Sequence, residues 1–183
     1  EKITSKVTQV TFGTKDKYPA IVNDETLAPT LTINGYNTEY GKEYGAPTHT
    51  YYVPDGDSGN YHLYVLADEG LIYAPENSTK LFASMSALTE VDTSNFDVSK
   101  VKNMHSMFLG CENLKSVDVS NWDVSKVTNM NLMFSTCSQL NDLDVSNWDV
   151  GQVTGMEGMF FKCAALTDLV VENWDVSKVT TMV

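Results

Sequence analysis

Residues 118–128 read Asp-Val-Ser-Asn-Trp-Asp-Val-Ser-Lys-Val-Thr, and similar strings recur at a spacing of 26 residues. The copies share a four-residue motif, found as Asn95-Phe96-Asp97-Val98, Asn121-Trp122-Asp123-Val124, Asn147-Trp148-Asp149-Val150 and Asn173-Trp174-Asp175-Val176. A unit this short cannot bury its own apolar face, so each copy must cover its neighbour. The period therefore predicts a solenoid of stacked copies over residues 79–183.

Each copy begins with the spacing of a leucine-rich-repeat strand. In one copy the pattern is Leu140-x-x-Leu143-x-Val145, and apolar residues recur at most of these positions in the other copies. Alternate residues of a half-buried strand point inward, which this spacing provides. The pattern predicts short parallel strands of one sheet at residues 117–120, 143–146 and 169–172.

The second half of each copy has the spacing of one helix face. Met130, Met133, Phe134 and Cys137 stand at i, i+3, i+4 and i+7, and the same run recurs one period away. Threonines stand where such helices would begin and could accept from free backbone N–H groups, at Thr128, Thr154 and Thr180. Each copy reads as strand, turn and short helix, and the predicted fold is a right-handed α/β repeat solenoid of about four repeats. The chain stops part-way into a helix, which predicts truncation of a longer array at the C-terminus.

Residues 1–78 differ in composition from the repeats. All nine Tyr and all five Pro lie there, whereas all eight Met, three Cys and three Trp lie beyond residue 84. Two domains are therefore predicted, a β-rich N-terminal cap at 1–78 and the repeats at 79–183. The cap would cover the apolar edge of the first copy.

Four runs within residues 1–78 are strand-like: Val7–Gly13, His49–Pro54, Tyr61–Leu66 and Leu71–Ala74. The last two are joined by residues 67–70, a link with Gly that suits a hairpin. Residues 14–48 show no sustained period and are predicted to be loops with one or two strands. Val7, Val10 and Phe12 also have the spacing of the repeat strand, so this run is either an ordinary β-strand or an early rung of the repeat sheet.

The charge excludes one class of partner. The formal net charge is -12, with twelve Lys and no Arg. A chain without a basic face or a guanidinium group is not expected to bind nucleic acid. No stretch approaches the roughly eighteen apolar residues that span a bilayer, so no transmembrane segment is predicted.

The outward positions of the predicted strands are acidic. They form a strip that is predicted to bind a partner and comprises Glu90, Asp92, Asp118, Asp142, Asp144 and Asp168. The exposed sheet face of repeat proteins is a common partner-binding surface. Simple solvation of these carboxylates is the alternative interpretation.

A second acidic column follows the aromatic residue of each copy, at Asp97, Asp123, Asp149 and Asp175. Carboxylates stacked at the inter-strand spacing of about 4.8 Å repel one another unless something compensates their charge. Three interpretations stay open. The carboxylates alternate with lysines three residues on, they accept from backbone N–H groups two residues on and so fix a turn, or they bind Ca²⁺.

The sequence carries no recognisable catalytic site. Cys111, Cys137 and Cys163 share one column with parallel side-chain directions, which disfavours disulfides and predicts small buried apolar residues. The three histidines accompany no nucleophile motif or phosphate-binding glycine loop, and no spacing fits a zinc site. We therefore expect no enzymatic activity, no catalytic residue and no resident cofactor other than the calcium considered above.

The repeat resembles that of the BspA-like leucine-rich-repeat surface proteins of bacteria. The resemblance is carried by Leu140–Val150 and Val127–Cys137 and covers residues 79–183. It implies an extracellular protein of the bacterial cell surface, with adhesive or partner-binding function toward a host or neighbouring-cell protein and no enzymatic activity. Two other functions are considered: a structural spacer of a surface protein, and carbohydrate binding through the tyrosines of residues 1–78.

Overall fold

The computed structural model describes residues 3–27 and 48–182. Their regular elements are, in chain order, β1 (Val7–Thr14), α1 (Pro19–Val22), β2 (Thr48–Pro54), β3 (Tyr61–Ala67), β4 (Ile72–Tyr73), β5 (Glu90–Asp92), β6 (Phe96–Asp97) and β7 (Ser116–Val117). Two 3-10 turns, Ile3–Lys6 and Lys15–Lys17, flank β1. Most of the predicted loop region, residues 28–47, lies outside the described residues.

The largest element is a five-stranded mixed sheet in the order β2-β3-β1-β5-β7. β2 and β3 are antiparallel, and the other neighbours are parallel. β1 lies at the centre, and its residues 10–13 are all buried, with Val10 and Phe12 both 1% exposed. Val10 is opposite Val91 of the first copy. The interpretation of this run as an early rung of the repeat sheet is therefore confirmed.

The four strands predicted before residue 78 are present, but the predicted hairpin at residues 67–70 is wrong. β3 pairs with β2 across a polar turn, in which the Asp55 N–H donates to the Asn60 carbonyl at 2.9 Å. β4 instead pairs in parallel with β6 of the first copy, placing Ile72 opposite Phe96. Both of these side chains are buried, so burial of Ile72 against the repeats outweighs the local turn signal.

The helices predicted in the copies are wrong. The described residues from 79 to 182 form turns and bends between the short strands. The threonines expected at helix starts donate their hydroxyls to carbonyls 26 residues back, with Thr128 bonding Lys102 and Thr154 bonding Thr128, both at 3.1 Å. Thr180 does the same toward Thr154.

Backbone geometry explains the error. A residue with positive φ interrupts a right-handed helix, and Leu132 and Thr136 have φ of 57° and 63° within the supposed helix face. Turn hydrogen bonds span three residues, as from the Met133 N–H to the Met130 carbonyl at 3.2 Å. Apolar residues at i, i+3, i+4 and i+7 therefore face inward on consecutive turns as well as on a helix.

The N–H groups that a helix would use internally are donated to the next copy. Phe134 N–H bonds the Met159 carbonyl at 2.9 Å, and Leu132 N–H bonds the Glu157 carbonyl at 2.8 Å. Single parallel bridges join Asn103 to Asn129 and Asn129 to Gly155. Neighbouring copies are thus linked by backbone hydrogen bonds 25 or 26 residues apart, without a helix in either copy.

The short strands predicted in the copies are only partly present. β7 covers Ser116–Val117, and one bridge continues the sheet from Ser116 to Asp142. Among the described residues, no strand forms at 143–146 or 169–172. The fold class predicted from the sequence, an α/β solenoid, is therefore wrong: the described residues are mostly β, with a mixed five-stranded sheet, a two-stranded sheet and one short α-helix outside the repeats.

Matched side chains fill the core of the repeats. Phe108 and Phe134 stack with ring centroids 5.3 Å apart, and Trp122 and Trp148 stack at 6.5 Å, each pair within 4° of parallel. Burial is complete in the middle copies and falls in the last one, where Val176 is 41% exposed. The division into two domains at residue 78 stays a prediction, and the main sheet runs across that point.

Candidate binding face

The six carboxylates predicted to bind a partner lie on the outward side of the repeats, and we call them the acidic face. Glu90 and Asp92 flank the buried Val91 on β5. Glu90 pairs with Ser116, which in turn bridges to Asp142, so these three residues form one row across the sheet. Asp118, Asp142, Asp144 and Asp168 are exposed and Asp92 is partly buried.

One column of the acidic face builds turns. Asp118 accepts from the backbone N–H of Ser120 at 3.1 Å and from its hydroxyl at 2.6 Å, and Asp144 does the same with Ser146. Such Asx turns fix the chain direction after each strand. The Ser146 hydroxyl and N–H lower the pKa of Asp144, so this carboxylate is ionised at neutral pH.

A groove of about 280 Å³ crosses the acidic face between the first two copies. Glu90, Asp92 and Asp118 line it, together with the hydroxyl-bearing residues Thr93, Ser94 and Ser116. The polar side chains of this groove are three carboxylates, which accept hydrogen bonds, and three hydroxyls. Its chemistry suits an ammonium or guanidinium group.

The face continues onto the N-terminal strands through residues that the sequence patterns did not single out. Gln9 donates to Glu90 at 3.4 Å, and Thr11 contacts His62 at 2.8 Å between Oγ1 and Nε2. His62 stacks on Tyr64 with centroids 4.1 Å apart. Burial lowers the pKa of His62, and the nearby carboxylates oppose this only in part. The alternation of side chains along the strand around Val10 could have placed Gln9 and Thr11 on the side opposite Val10. No local pattern placed His62 beside them.

The second acidic column forms turns by the same chemistry. Asp123 accepts from the Ser125 N–H at 3.1 Å and hydroxyl at 2.6 Å, and these bonds lower its pKa, with a smaller effect from Lys126. Lys126 donates to the Ser99 carbonyl at 2.9 Å. The Ser125 hydroxyl and N–H therefore compensate the charge of Asp123 more than Lys126 does. Within the described residues, no three His, Cys, Asp or Glu side chains cluster as a metal site.

Residues 76–183 match the model of a family described as Mycoplasma protein of unknown function, DUF285. The chain belongs to the DUF285 family. No curated protein and no solved structure matches it.

Membership of the DUF285 family corrects the assignment made from the strand pattern. DUF285 is not a leucine-rich-repeat family, and the part of the chain that the structure describes is β-rich with one short helix, so the leucine-rich-repeat solenoid is wrong. The Leu-x-x-Leu-x-Val spacing is explained by buried positions such as Leu140, which follows a turn, and Leu143, which follows the single bridge at Asp142. The resemblance to BspA-like surface proteins stays a prediction, because the DUF285 match carries no function.

The three cysteines of the DUF285 repeats are free, and the predicted buried role is confirmed for Cys111 and Cys137. Each thiol donates to a carbonyl 29 residues back, as Cys137 does to Phe108 at 3.2 Å. Burial raises the pKa of Cys111 to about 12 and raises that of Cys137 as well. Both thiols are therefore protonated at neutral pH, which makes them poor nucleophiles.

The tyrosines considered for carbohydrate binding pack mainly on one another. Tyr51 is 4% exposed, Tyr52 and Tyr61 form an edge-to-face pair at 6.2 Å, and Tyr18 lies 5.3 Å from Tyr64. Three further tyrosines, at positions 36, 40 and 44, lie outside the described residues. Across the part of the chain that the structure covers, no helix is long and apolar enough to cross a membrane.

Proposed function

We propose that this DUF285 chain is a non-enzymatic binding module of the bacterial cell surface, and that the acidic face binds a protein partner rich in lysine and arginine. The extracellular location and the host or neighbouring-cell partner follow from the resemblance to BspA-like proteins. The binding chemistry follows from the residues of the face itself.

The observation that carries the proposal is a comparison of turns within the chain. Asn103 and Asn129 accept from the N–H groups of His105 and Asn131, both at 2.9 Å, in the same type of turn that the aspartates form. An amide oxygen therefore suffices to build this turn. The negative charge of Asp118 and Asp144 exceeds what their turns require.

That charge is also poorly compensated. The column of Asp97 and Asp123 has lysines three residues on, at Lys100 and Lys126, whereas asparagines stand three residues after Asp92, Asp118 and Asp144. A column of carboxylates whose negative charge is not needed for the turns and is not matched by nearby lysines supports a role in binding.

The net charge of -12 adds long-range attraction for a basic partner. Complementary charge raises association rates and disfavours partners of the same sign, and its effect weakens as salt shortens the Debye length to about 8 Å at physiological ionic strength. The groove beside Glu90 provides a place where one lysine or arginine side chain of the partner can dock.

The test compares two isosteric double variants. Asp142→Asn with Asp144→Asn removes two charges from the acidic face while keeping an amide oxygen for the Ser146 turn. Asp149→Asn with Asp175→Asn removes two charges from the other column and serves as the matched control. Binding is measured on immobilised protein against purified extracellular matrix proteins and lysozyme, a basic secreted protein, at several salt concentrations.

We expect the face variant to bind at least one basic partner about tenfold more weakly, with a smaller salt dependence, and the control to change little. Equal affinity of both variants and the unaltered chain would contradict the proposal. That result would favour the structural spacer, which needs no charge at these positions.

A further inference from the structure

Two of the three tryptophans in the repeats make the same hydrogen bond, and the third does not. The indole Nε1 of Trp148 donates to the Val119 carbonyl at 3.0 Å, and that of Trp174 donates to the Val145 carbonyl at 3.1 Å, in each case 29 residues back. Trp122 is 7% exposed and its Nε1 is buried without an acceptor among the described residues. A buried donor without a partner is costly and rare in native proteins.

The indole of Trp122 lies in the same place in its copy as the indole of Trp148. The two rings are within 2° of parallel, and the backbone N–H of each residue bonds the carbonyl three residues back at 3.1 Å. The acceptor equivalent to Val119 would be residue 93. The Nε1–H of Trp122 is therefore directed at the segment around Thr93.

The chain departs from its repeat at that segment. Thr93 replaces the valine of later copies, and its hydroxyl donates to the Asp118 carbonyl at 2.5 Å. Phe96 replaces tryptophan, and its strand pairs with β4 rather than with another copy. The contact between the first and second copies therefore differs from the later contacts.

A cavity of about 360 Å³ opens at this place, and we call it the Trp122 cavity. Its volume lies in the range of small-molecule sites. Six of its other lining residues matter for its chemistry, the apolar Leu71 and Phe96 and the polar Thr93, Asp97, Asn121 and Asp123. Asp97 and Asp123 each hold their turn with Oδ1. In both carboxylates the second oxygen makes no hydrogen bond within the described part of the chain, so it can accept one from a ligand.

These groups define the ligand by elimination. The carboxylates repel anions, and a metal or ammonium ion cannot accept the indole N–H. A ligand that donates to carboxylates, accepts from an indole and packs a partly apolar ring on Leu71 and Phe96 meets all three requirements. We propose that the Trp122 cavity binds a neutral sugar ring whose hydroxyl groups pair with the Trp122 indole N–H and the Asp97 and Asp123 carboxylates.

The test follows the three indole N–H signals by NMR during titration with glucose, galactose, mannose and N-acetylglucosamine, each separately. We expect at least one sugar to move the Trp122 indole signal saturably, while the signals of Trp148 and Trp174 stay in place. Because the Trp122 N–H is itself buried, the wall of the cavity must shift slightly as the sugar enters, and the side-chain amide of Asn121 should report this.

Two variants separate the site from general effects. Trp122→Phe keeps an aromatic ring in the stack, as Phe96 does in the first copy, and is expected to weaken sugar binding about tenfold, the value of one buried hydrogen bond. Trp148→Phe removes an indole whose N–H is already bonded within the protein, and sugar binding should be retained. The binding is followed at Asn121 in both variants.

Failure of all four sugars to move the Trp122 signal saturably would overturn the proposal, and so would equal movement of all three indole signals. The first result would show that these sugars do not bind beside Trp122, and the second would indicate non-specific contact. Neither result bears on the acidic-face proposal, because Asp142 and Asp144, the residues changed to test it, do not line the cavity.

Discussion

The N-terminal strands and the repeats of this chain are held together by different interactions. β1 and β3 pair across seven residue pairs, so their order comes from a backbone ladder. The repeats have strands of two or three residues, and their order comes from matched rings, Asx turns and single hydrogen bonds to the next copy. The difference shows that a repeated side chain can replace a long strand when each copy supplies the partner of its neighbour.

Removing one ring from the column of stacked phenylalanines should have the largest effect, because the repeats depend on this column and the N-terminal strands do not. Phe134 is fully buried between Phe108 and Phe160, with centroids 5.3 and 5.9 Å away. Phe134→Ala should lower the free energy of unfolding by about 3–5 kcal/mol, because it removes buried area and both ring contacts. Urea denaturation followed by tryptophan fluorescence measures this change.

The control for that variant is Phe161→Ala. Phe161 is next to Phe160 in the chain but lies outside the ring column and is 56% exposed, so its removal should change stability by less than about 1 kcal/mol. Similar losses in both variants would mean that the ring column does not hold the copies together.

The Asx turns of the repeats predict a smaller, pH-dependent effect. Hydrogen bonds from Ser125 lower the folded-state pKa of Asp123, so its stabilising contribution is present above the unfolded pKa of about 3.9 and is lost as pH falls through the folded value. Asp123→Ala should cost about 0.5–1 kcal/mol at neutral pH. Melting temperatures between neutral and acidic pH measure both effects.

Asp123→Asn keeps the amide oxygen and is the matched variant. It should retain most of the stability at neutral pH and lose the acid-dependent part that Asp123 contributes. A pH profile unchanged from that of the unaltered chain would show that this turn does not titrate.

Thr136→Gly should have the smallest effect on stability, and the sign of that effect differs between a turn and a helix. Thr136 has φ of 63°, which strains a β-branched residue by about 1–2 kcal/mol, whereas glycine adopts this conformation freely. Thr136→Gly should therefore raise stability by about 0.5 kcal/mol after the entropic cost of glycine. In a helix the same change would lower stability by about 1 kcal/mol. Gly110→Thr, at the equivalent position with φ of 76°, should be destabilising.

The sequence allowed the period, the columns and the N-terminal strands to be predicted, since these depend on spacing alone. It did not distinguish helix from turn in the repeats, because the Met130, Met133 and Phe134 spacing suits both. Glycines offered a missed signal: Gly158 shares a column with Leu132, and Gly110 shares one with Thr136, and all four have positive φ. A glycine in one copy indicated a left-handed residue in the others.

Long-range pairing accounts for the remaining differences. The pairing of β4 with β6 and the contact of Thr11 with His62 join residues more than twenty positions apart in sequence. The proposed sugar site in the Trp122 cavity rests in part on one missing hydrogen bond, which the regular spacing of the tryptophan motif does not reveal. The acidic face was predicted residue by residue, and its binding role stays a prediction.

Backbone N–H groups of one copy bond the next copy instead of forming a helix within their own. Scalar coupling across hydrogen bonds, measured by NMR between amide nitrogen and carbonyl carbon, tests it directly. We expect coupling from the Phe134 nitrogen to the Met159 carbonyl carbon, across the 2.9 Å hydrogen bond between the Phe134 N–H and the Met159 carbonyl. Coupling from Phe134 to the Met130 carbonyl carbon, the partner in an α-helix, would contradict it.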